Sequence, residues 1–236
     1  MKYWVCMLSV CCLGWSQLSA GILIPGNDTI YTPDAENKNL IFMEVKDSLG
    51  QILAVGQLLN GKKEGVYRTY NGITIMTVQE FHADIPDGIS LHFGMQGALE
   101  LEENYRNGEL DGRRVKYRFG GIKKSEENFN KGKLDGLKIS YYDNGYKQEE
   151  SMYKNGLREG NSKWYNEAEQ LSIEYNYKNG KLEGNAMTYY PNSKIEQSGI
   201  YKNDLEEGEW KYFNMNGKLT KTVNYKAGKV LNEKIY

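Results

Sequence analysis

Glycine recurs in this chain at a fixed step, and that step restricts the fold more than any other feature. Gly108 and Gly112, Gly132 and Gly136, Gly156 and Gly160, Gly180 and Gly184, then Asp204 and Gly208 each follow the preceding set by 24 residues. In a helix each glycine would cost about 1 kcal/mol relative to Ala. Between strands the same residues are useful, because turns need backbone conformations that glycine adopts without strain. An array of such units also relaxes the demand for a large core, since each unit buries its apolar side against its two neighbours. A hydrophobic content of 39% over 236 residues therefore suffices. Tyr is abundant at 19 and Pro scarce at 4, which again favours strands.

The units can be placed along the chain. A degenerate hairpin from Ile41 to about Leu59 precedes the first clear joint, Gly61-Lys62-Lys63-Glu64-Gly65. The next unit is one residue short and runs through Phe81 into the divergent joint Asp84-Ile85-Pro86-Asp87-Gly88, after which the step is constant. Following Gly136, the residues Leu137, Ile139 and Tyr141 alternate with Lys138 and Ser140, the period of a half-buried strand. Asp143-Asn144-Gly145 offers a tight turn, because Asn-Gly accepts positive φ. The return strand, Tyr146 to Tyr153, leads through Lys154-Asn155-Gly156 into the next unit. The expected fold is all-β: an elongated, single-layer antiparallel meander of about eight stacked β-hairpin repeats, with Gly228 to Tyr236 as a closing strand. Sixteen strands at about 4.8 Å apiece would extend about 75 Å.

Two columns of aromatics keep the register. One holds Tyr70, Phe93, Tyr117, Tyr141, Tyr165, Tyr189 and Phe213; the other holds Phe81, Tyr105, Phe129, Tyr153, Tyr177, Tyr201 and Tyr225. Like residues in successive units stack, so these columns are expected to form the core.

Residues 1–20 read as a secretory signal, with Lys2 at the start, an apolar run from Tyr3 to Trp15 and a small-residue cleavage site at Leu18-Ser19-Ala20. The expected destination is the periplasm, the cell envelope or the medium. Cys6, Cys11 and Cys12 all lie in this segment, so the processed chain has no thiol for disulfides, catalysis or metal. Residues 21–40 carry Pro25, Gly26 and Pro33 and read as a lead-in or cap, with 41–236 as the array. Asn27-Asp28-Thr29 matches a glycosylation acceptor, a weak signal by itself. Without Lys2, 29 basic residues face 31 acidic ones, a net of −2 that argues against nucleic-acid binding.

No catalytic, cofactor or metal constellation can be assembled. His82 and His92 are the only histidines and read as surface residues. Glu149 and Glu150, and Glu206, Glu207 and Glu209, sit among lysines and read as solvated cross-strand partners. One charge cluster stands out. Arg113, Arg114, Lys116, Arg118, Lys123 and Lys124 occupy a hairpin without an acid, a candidate for an anionic lipid head group, although Glu126 and Glu127 follow at once. The irregular joints at Asp84–Gly88 and Asp204 are the other places where the array departs from its own pattern.

The joint and its flanks, as in Tyr153-Lys154-Asn155-Gly156-Leu157-Arg158-Glu159-Gly160 and Tyr177-Lys178-Asn179-Gly180-Lys181-Leu182-Glu183-Gly184, resemble the MORN repeat, and more closely the bacterial variant found in YwqK-type antitoxin proteins. The resemblance extends over about residues 41–236. The commoner MORN form has glycine two residues before the return-strand aromatic; Gly56 and Gly199 match, whereas Glu103, Glu127, Ser151 and Tyr175 depart. The resemblance implies a non-enzymatic scaffold for protein or lipid binding, and the antitoxin label implies a toxin partner. The expectation is an exported repeat scaffold that binds an unidentified protein, with anionic lipid as the alternative and Tyr117, Tyr141, Tyr153, Tyr165, Tyr177, Tyr189 and Tyr201 as its structural aromatics.

Overall fold

The computed structural model describes residues 28–236, so the signal reading, the cysteines and Asn27 lie outside the described residues. The described chain forms one antiparallel sheet with no helix. Eight hairpins follow in order: Leu40–Lys46 with Ile52–Leu59, Lys62–Asn71 with Thr74–His82, Ile85–Phe93 with Leu99–Arg106, Gly112–Tyr117 with Lys123–Asn130, Gly136–Tyr141 with Lys147–Lys154, Leu157–Tyr165 with Leu171–Lys178, Lys181–Tyr189 with Ile195–Lys202, and Leu205–Phe213 with Leu219–Lys226. Lys229–Ile235 closes the array against the eighth hairpin. Asp28–Pro33 adds a strand at the other end by pairing with Leu40–Lys46. The chain is thus the elongated hairpin meander that its 24-residue period predicts.

The two edges of the sheet are built differently. At the joints between units, both central turn residues have positive φ, as with Asn155 at 52° and Gly156 at 85°, which is what a two-residue primed turn demands. Within units the turn is longer, except in the second, where Asn71 pairs with Thr74 and only Gly72 and Ile73 lie between. Asn144 is not left-handed; only Gly145 is, at 87°, and its N–H donates to Tyr142 O at 3.0 Å while Tyr142 N–H donates to Tyr146 O at 2.8 Å. The Asn-Gly pair therefore sits in a type I turn closed by a left-handed glycine, and the primed turns lie at the joints instead.

The joints also explain the motif's acid. Glu159 Oε2 accepts the N–H of Asn179 in the next joint at 2.7 Å, Glu183 that of Asn203 at 2.8 Å, and Glu207 that of Ala227 at 2.8 Å. Asp135 treats Asn155 alike at 3.0 Å. Gly156 N–H donates to Leu134 O at 2.8 Å and Gly180 N–H to Arg158 O at 2.9 Å, so each turn is hydrogen-bonded to the one before it. Where Asp replaces the turn glycine, its carboxylate reaches back: Asp204 Oδ1 accepts from Leu182 N–H and Asp84 Oδ1 from Lys63 N–H, both at 2.7 Å. The left-handed backbone of Asp204, φ 68°, and of Asp84, φ 73°, is offset by that bond. The irregular joints are structural substitutions.

Register decides which residues share a face, because directly paired residues point the same way. The two aromatic columns turn out to lie on opposite faces, which corrects the expectation of a single core. Ile139 pairs with Glu126 and Glu150, and Tyr141 shares that face; Ser151, two residues before Tyr153, pairs with Lys138 and Ser162 on the other. An open single-layer sheet has two faces and both must be covered. Few hydrophobic side chains are fully buried among the described residues, chiefly Ile41, Leu58, Tyr67, Val115, Trp210 and Val223.

Candidate interaction surface

On the first face the hydroxyls of four successive tyrosines each donate to a glutamate 15 residues earlier. Tyr117 reaches Glu102 at 3.3 Å, Tyr141 reaches Glu126 at 2.5 Å, Tyr165 reaches Glu150 at 3.0 Å and Tyr189 reaches Glu174 at 3.2 Å. Where this column has Phe93 or Phe213, the corresponding position is Val78 or Ser198. From Phe93 to Phe213 hydroxyl and carboxylate come and go together, so the bond accounts for the choice between Tyr and Phe there; Tyr70, with Val55 at the corresponding position, is the exception. Burial raises the Glu126 carboxyl, but hydrogen bonds from Lys123, Tyr141 and Arg113 outweigh it and hold the group at about 2. Burial and the Glu150 contact push the Tyr165 phenol up to about 12.

The second face carries Tyr153, Tyr177, Tyr201 and Tyr225, and its C-terminal half is an aromatic ladder. Trp164 meets Tyr175 at 5.9 Å and Tyr177 at 6.5 Å between ring centroids, Tyr175 meets Tyr201 at 5.9 Å, and Trp210 lies 5.0 Å from Tyr201 and 6.3 Å from Tyr225. Most of these contacts are edge to face, the arrangement ring quadrupoles favour. The two tryptophans and Tyr175 were outside the sequence-derived columns. A signal was nevertheless present. Trp210 lies 11 residues after Gly199 and covers it, as Tyr67 covers Gly56, and a Cβ at either glycine would fall inside the ring. At departing units the same two positions hold Glu103 with Arg114 at 3.7 Å, Glu127 with Lys138 at 3.8 Å, Ser151 paired to Ser162, and Tyr175 paired to Ala186. Each departure from glycine is matched in size or charge by the facing residue.

The basic hairpin is mostly spent on internal pairing. Arg113 binds Glu126 at 2.6 Å, and Arg114 binds Glu127 at 2.7 Å while its guanidinium lies over Phe129 at 4.4 Å. Arg118 binds Asp143 at 2.7 Å and donates to Tyr141 O at 3.0 Å, and Lys123 binds Glu126 at 2.8 Å. Lys116 is half-buried on the Arg114 side of its strand, and Lys124 is the exposed extra residue of a bulge between Lys123 and Ser125. Sequence reading saw a hairpin without acids; Glu126 and Glu127 belong to its own return strand, and Asp143 and Glu103 reach it from the neighbouring hairpins.

The remaining candidates are separated by the strand pleat. Glu149 and Glu150 point to opposite faces, Glu149 toward Arg158 and Ser151, Glu150 toward Tyr165 and Lys147. Glu207 caps a joint, and Glu209 faces Lys211 at 3.3 Å. His82 contacts Glu64 at 3.0 Å and His92 contacts Ser90 at 3.2 Å, again on opposite faces. Among the described residues no three His, Cys, Asp or Glu side chains converge on a common point.

The most exposed large apolar side chains among the described residues lie along the hairpin-turn edge. The tips of the first four hairpin turns are Leu49, Ile73, Met95 and Phe119, and each is at least 78% exposed. At the next two tips stand Asp143 and Glu167. Consecutive turns on this edge touch: Arg118 Nη2 donates to Tyr141 O at 3.0 Å and Asn144 Nδ2 to Glu167 O at 3.1 Å.

Comparison with known proteins agrees with this geometry in part of the chain. No curated protein matches the sequence. Among solved structures, a porin-like protein from Bacteroides uniformis aligns over 91% of this chain and 93% of its own at 9% identity, with a TM-score of 0.20. Four successive segments, residues 134–155, 158–179, 182–203 and 206–227, match the MORN repeat variant. Repeats of this type are non-enzymatic interaction modules. Residues 134–227 of this chain are thus four tandem MORN-variant repeats, each spanning one hairpin of the stacked array, outward strand, turn and return strand.

Proposed function

We propose that this protein is an exported, non-enzymatic scaffold whose repeat array binds another protein. The observation that carries the reading is the division of labour in the side chains. Conserving the array consumes the joint acids, the tyrosine hydroxyls and most of the arginines in internal bonds, whereas large apolar side chains project from the hairpin-turn edge. Monomeric surfaces seldom align such residues without a use for them. The same ion pairs weigh against the anionic-lipid alternative, because Arg113, Arg114, Arg118 and Lys123 would have to leave carboxylates to reach head groups. Co-purification from the native envelope fraction tests the proposal. A stoichiometric protein partner is expected, and a toxin-like partner would make the antitoxin role specific. Recovery of the chain alone under mild conditions would count against a scaffold.

A further inference from the structure

The geometry points to an amphipathic helix of a partner protein as the occupant of the hairpin-turn edge, lying along Leu49, Ile73, Met95 and Phe119. This rests on the scaffold reading and adds to it a surface and a partner class. Two strands separate successive tips, so the tips are about 10 Å apart, a spacing held by the continuous pairing of the strands between them. One heptad of helix advances about 10.5 Å, and a helix surface offers holes between four side chains that receive such knobs. A neighbouring strand would advance three residues over the same distance and present alternate faces to successive tips. Four tips spaced in this way fit about 20 residues of helix.

Charge gives the partner a further mark. Two turns beyond Phe119, Glu167 and Glu169 are exposed and have no ion pair among the described residues, while Asp143, at the tip between Phe119 and Glu167, shares its charge with Arg118. The helix should therefore be apolar at heptad spacing over one stretch and cationic about two heptads further on. A bilayer fits less well. Lys46, Arg118 and Lys123 near the tips are all paired with carboxylates, and the acids that continue the row would repel anionic lipid.

The test uses the whole protein and a synthetic helical peptide of about 32 residues with leucines on a heptad face and lysines in its last turns, read by fluorescence anisotropy. Saturable binding is expected, weakened about tenfold by Leu49→Ser, Ile73→Ser, Met95→Ser or Phe119→Ser, and unchanged by Met215→Ser on the same edge. Glu167→Lys with Glu169→Lys should weaken it and should restore binding to a peptide ending in glutamates. Absence of saturable binding, or binding indifferent to the four tips, overturns the inference. So does loss of phosphatidylglycerol-vesicle binding in the same four variants, or preference for a proline-rich peptide of equal length. If a native partner still co-purifies with the tip variants at full yield, the helix site fails while the scaffold stands.

Discussion

Substituting Gly199 by Ala tests how the second face accommodates its tryptophan. The backbone at Gly199 is outside the left-handed region, so alanine meets no conformational penalty there. Its Cβ, however, would lie among the ring carbons of Trp210, which is 3% exposed, sits between Tyr201 and Tyr225, and donates its indole N–H to Ile200 O at 3.2 Å. Displacing that ring should cost about 1–3 kcal/mol, the usual range for overpacking. Trp210→Ala alone should cost about 3–5 kcal/mol, because the ladder loses its central ring. In the double variant the clash has no ring to strike, so Gly199→Ala should become neutral or stabilise by about 0.5 kcal/mol. The cycle then shows a coupling of about 2 kcal/mol, with the effect of Gly199→Ala changing sign. Urea unfolding followed by far-UV circular dichroism supplies the four stabilities. Hydrogen exchange would locate the loss, since a repeat array need not unfold in one step. Additive costs would refute the idea that glycine here makes room for the ring, and Gly56→Ala against Tyr67 repeats the test at the other end of the array.

Three further outcomes are expected. Glu183→Ala should cost about 1 kcal/mol, the scale of a lost cap, and should speed amide exchange at Asn203, whereas Glu183→Gln keeps an acceptor and most of the protection. Glu126, held at about 2 instead of 4.5, stabilises the fold fully above the ordinary carboxylate value, and that contribution disappears as the pH falls from about 4.5 toward 2. Solvent screening limits it to about 1–2 kcal/mol; carbon NMR should show the depressed titration, and Glu126→Gln should flatten acid unfolding in that window. Tyr141→Phe should cost about 1 kcal/mol through the lost bond to Glu126, while Phe213→Tyr should gain nothing because Ser198 stands where a glutamate would be needed. Equal effects at the two positions would show that the hydroxyl–carboxylate bond is not what selects tyrosine.

Strand order, unit boundaries and the closing strand were all legible in the sequence, because glycine spacing and alternation are local and repeat without interruption. The same local reading placed the Asn144-Gly145 turn but gave it the wrong type, since the joint at Asn155-Gly156 and the hairpin at Gly145 both contain Asn-Gly and differ only in loop length. It also set Lys138 on the polar side of a half-buried strand, whereas its ammonium lies 5.9 Å from the Tyr153 ring and near Glu127. Arg114 shows the same limit: its acids, Glu103 and Glu127, belong to the strands on either side.

The sequence by itself therefore determined a one-dimensional object: a 24-residue hairpin, its register and its repetition. The tertiary structure decided the second dimension, the assignment of residues to faces and edges. Bulges near the glycines and at the ends of the outward strands shift the pairing by a residue, so parity counted along one strand does not carry over to the next. For that reason the two aromatic columns part company, the basic cluster is neutralised across its own hairpin and from the neighbouring ones, and Leu49, Ile73, Met95 and Phe119, unremarkable as isolated loop residues, come to stand in a row.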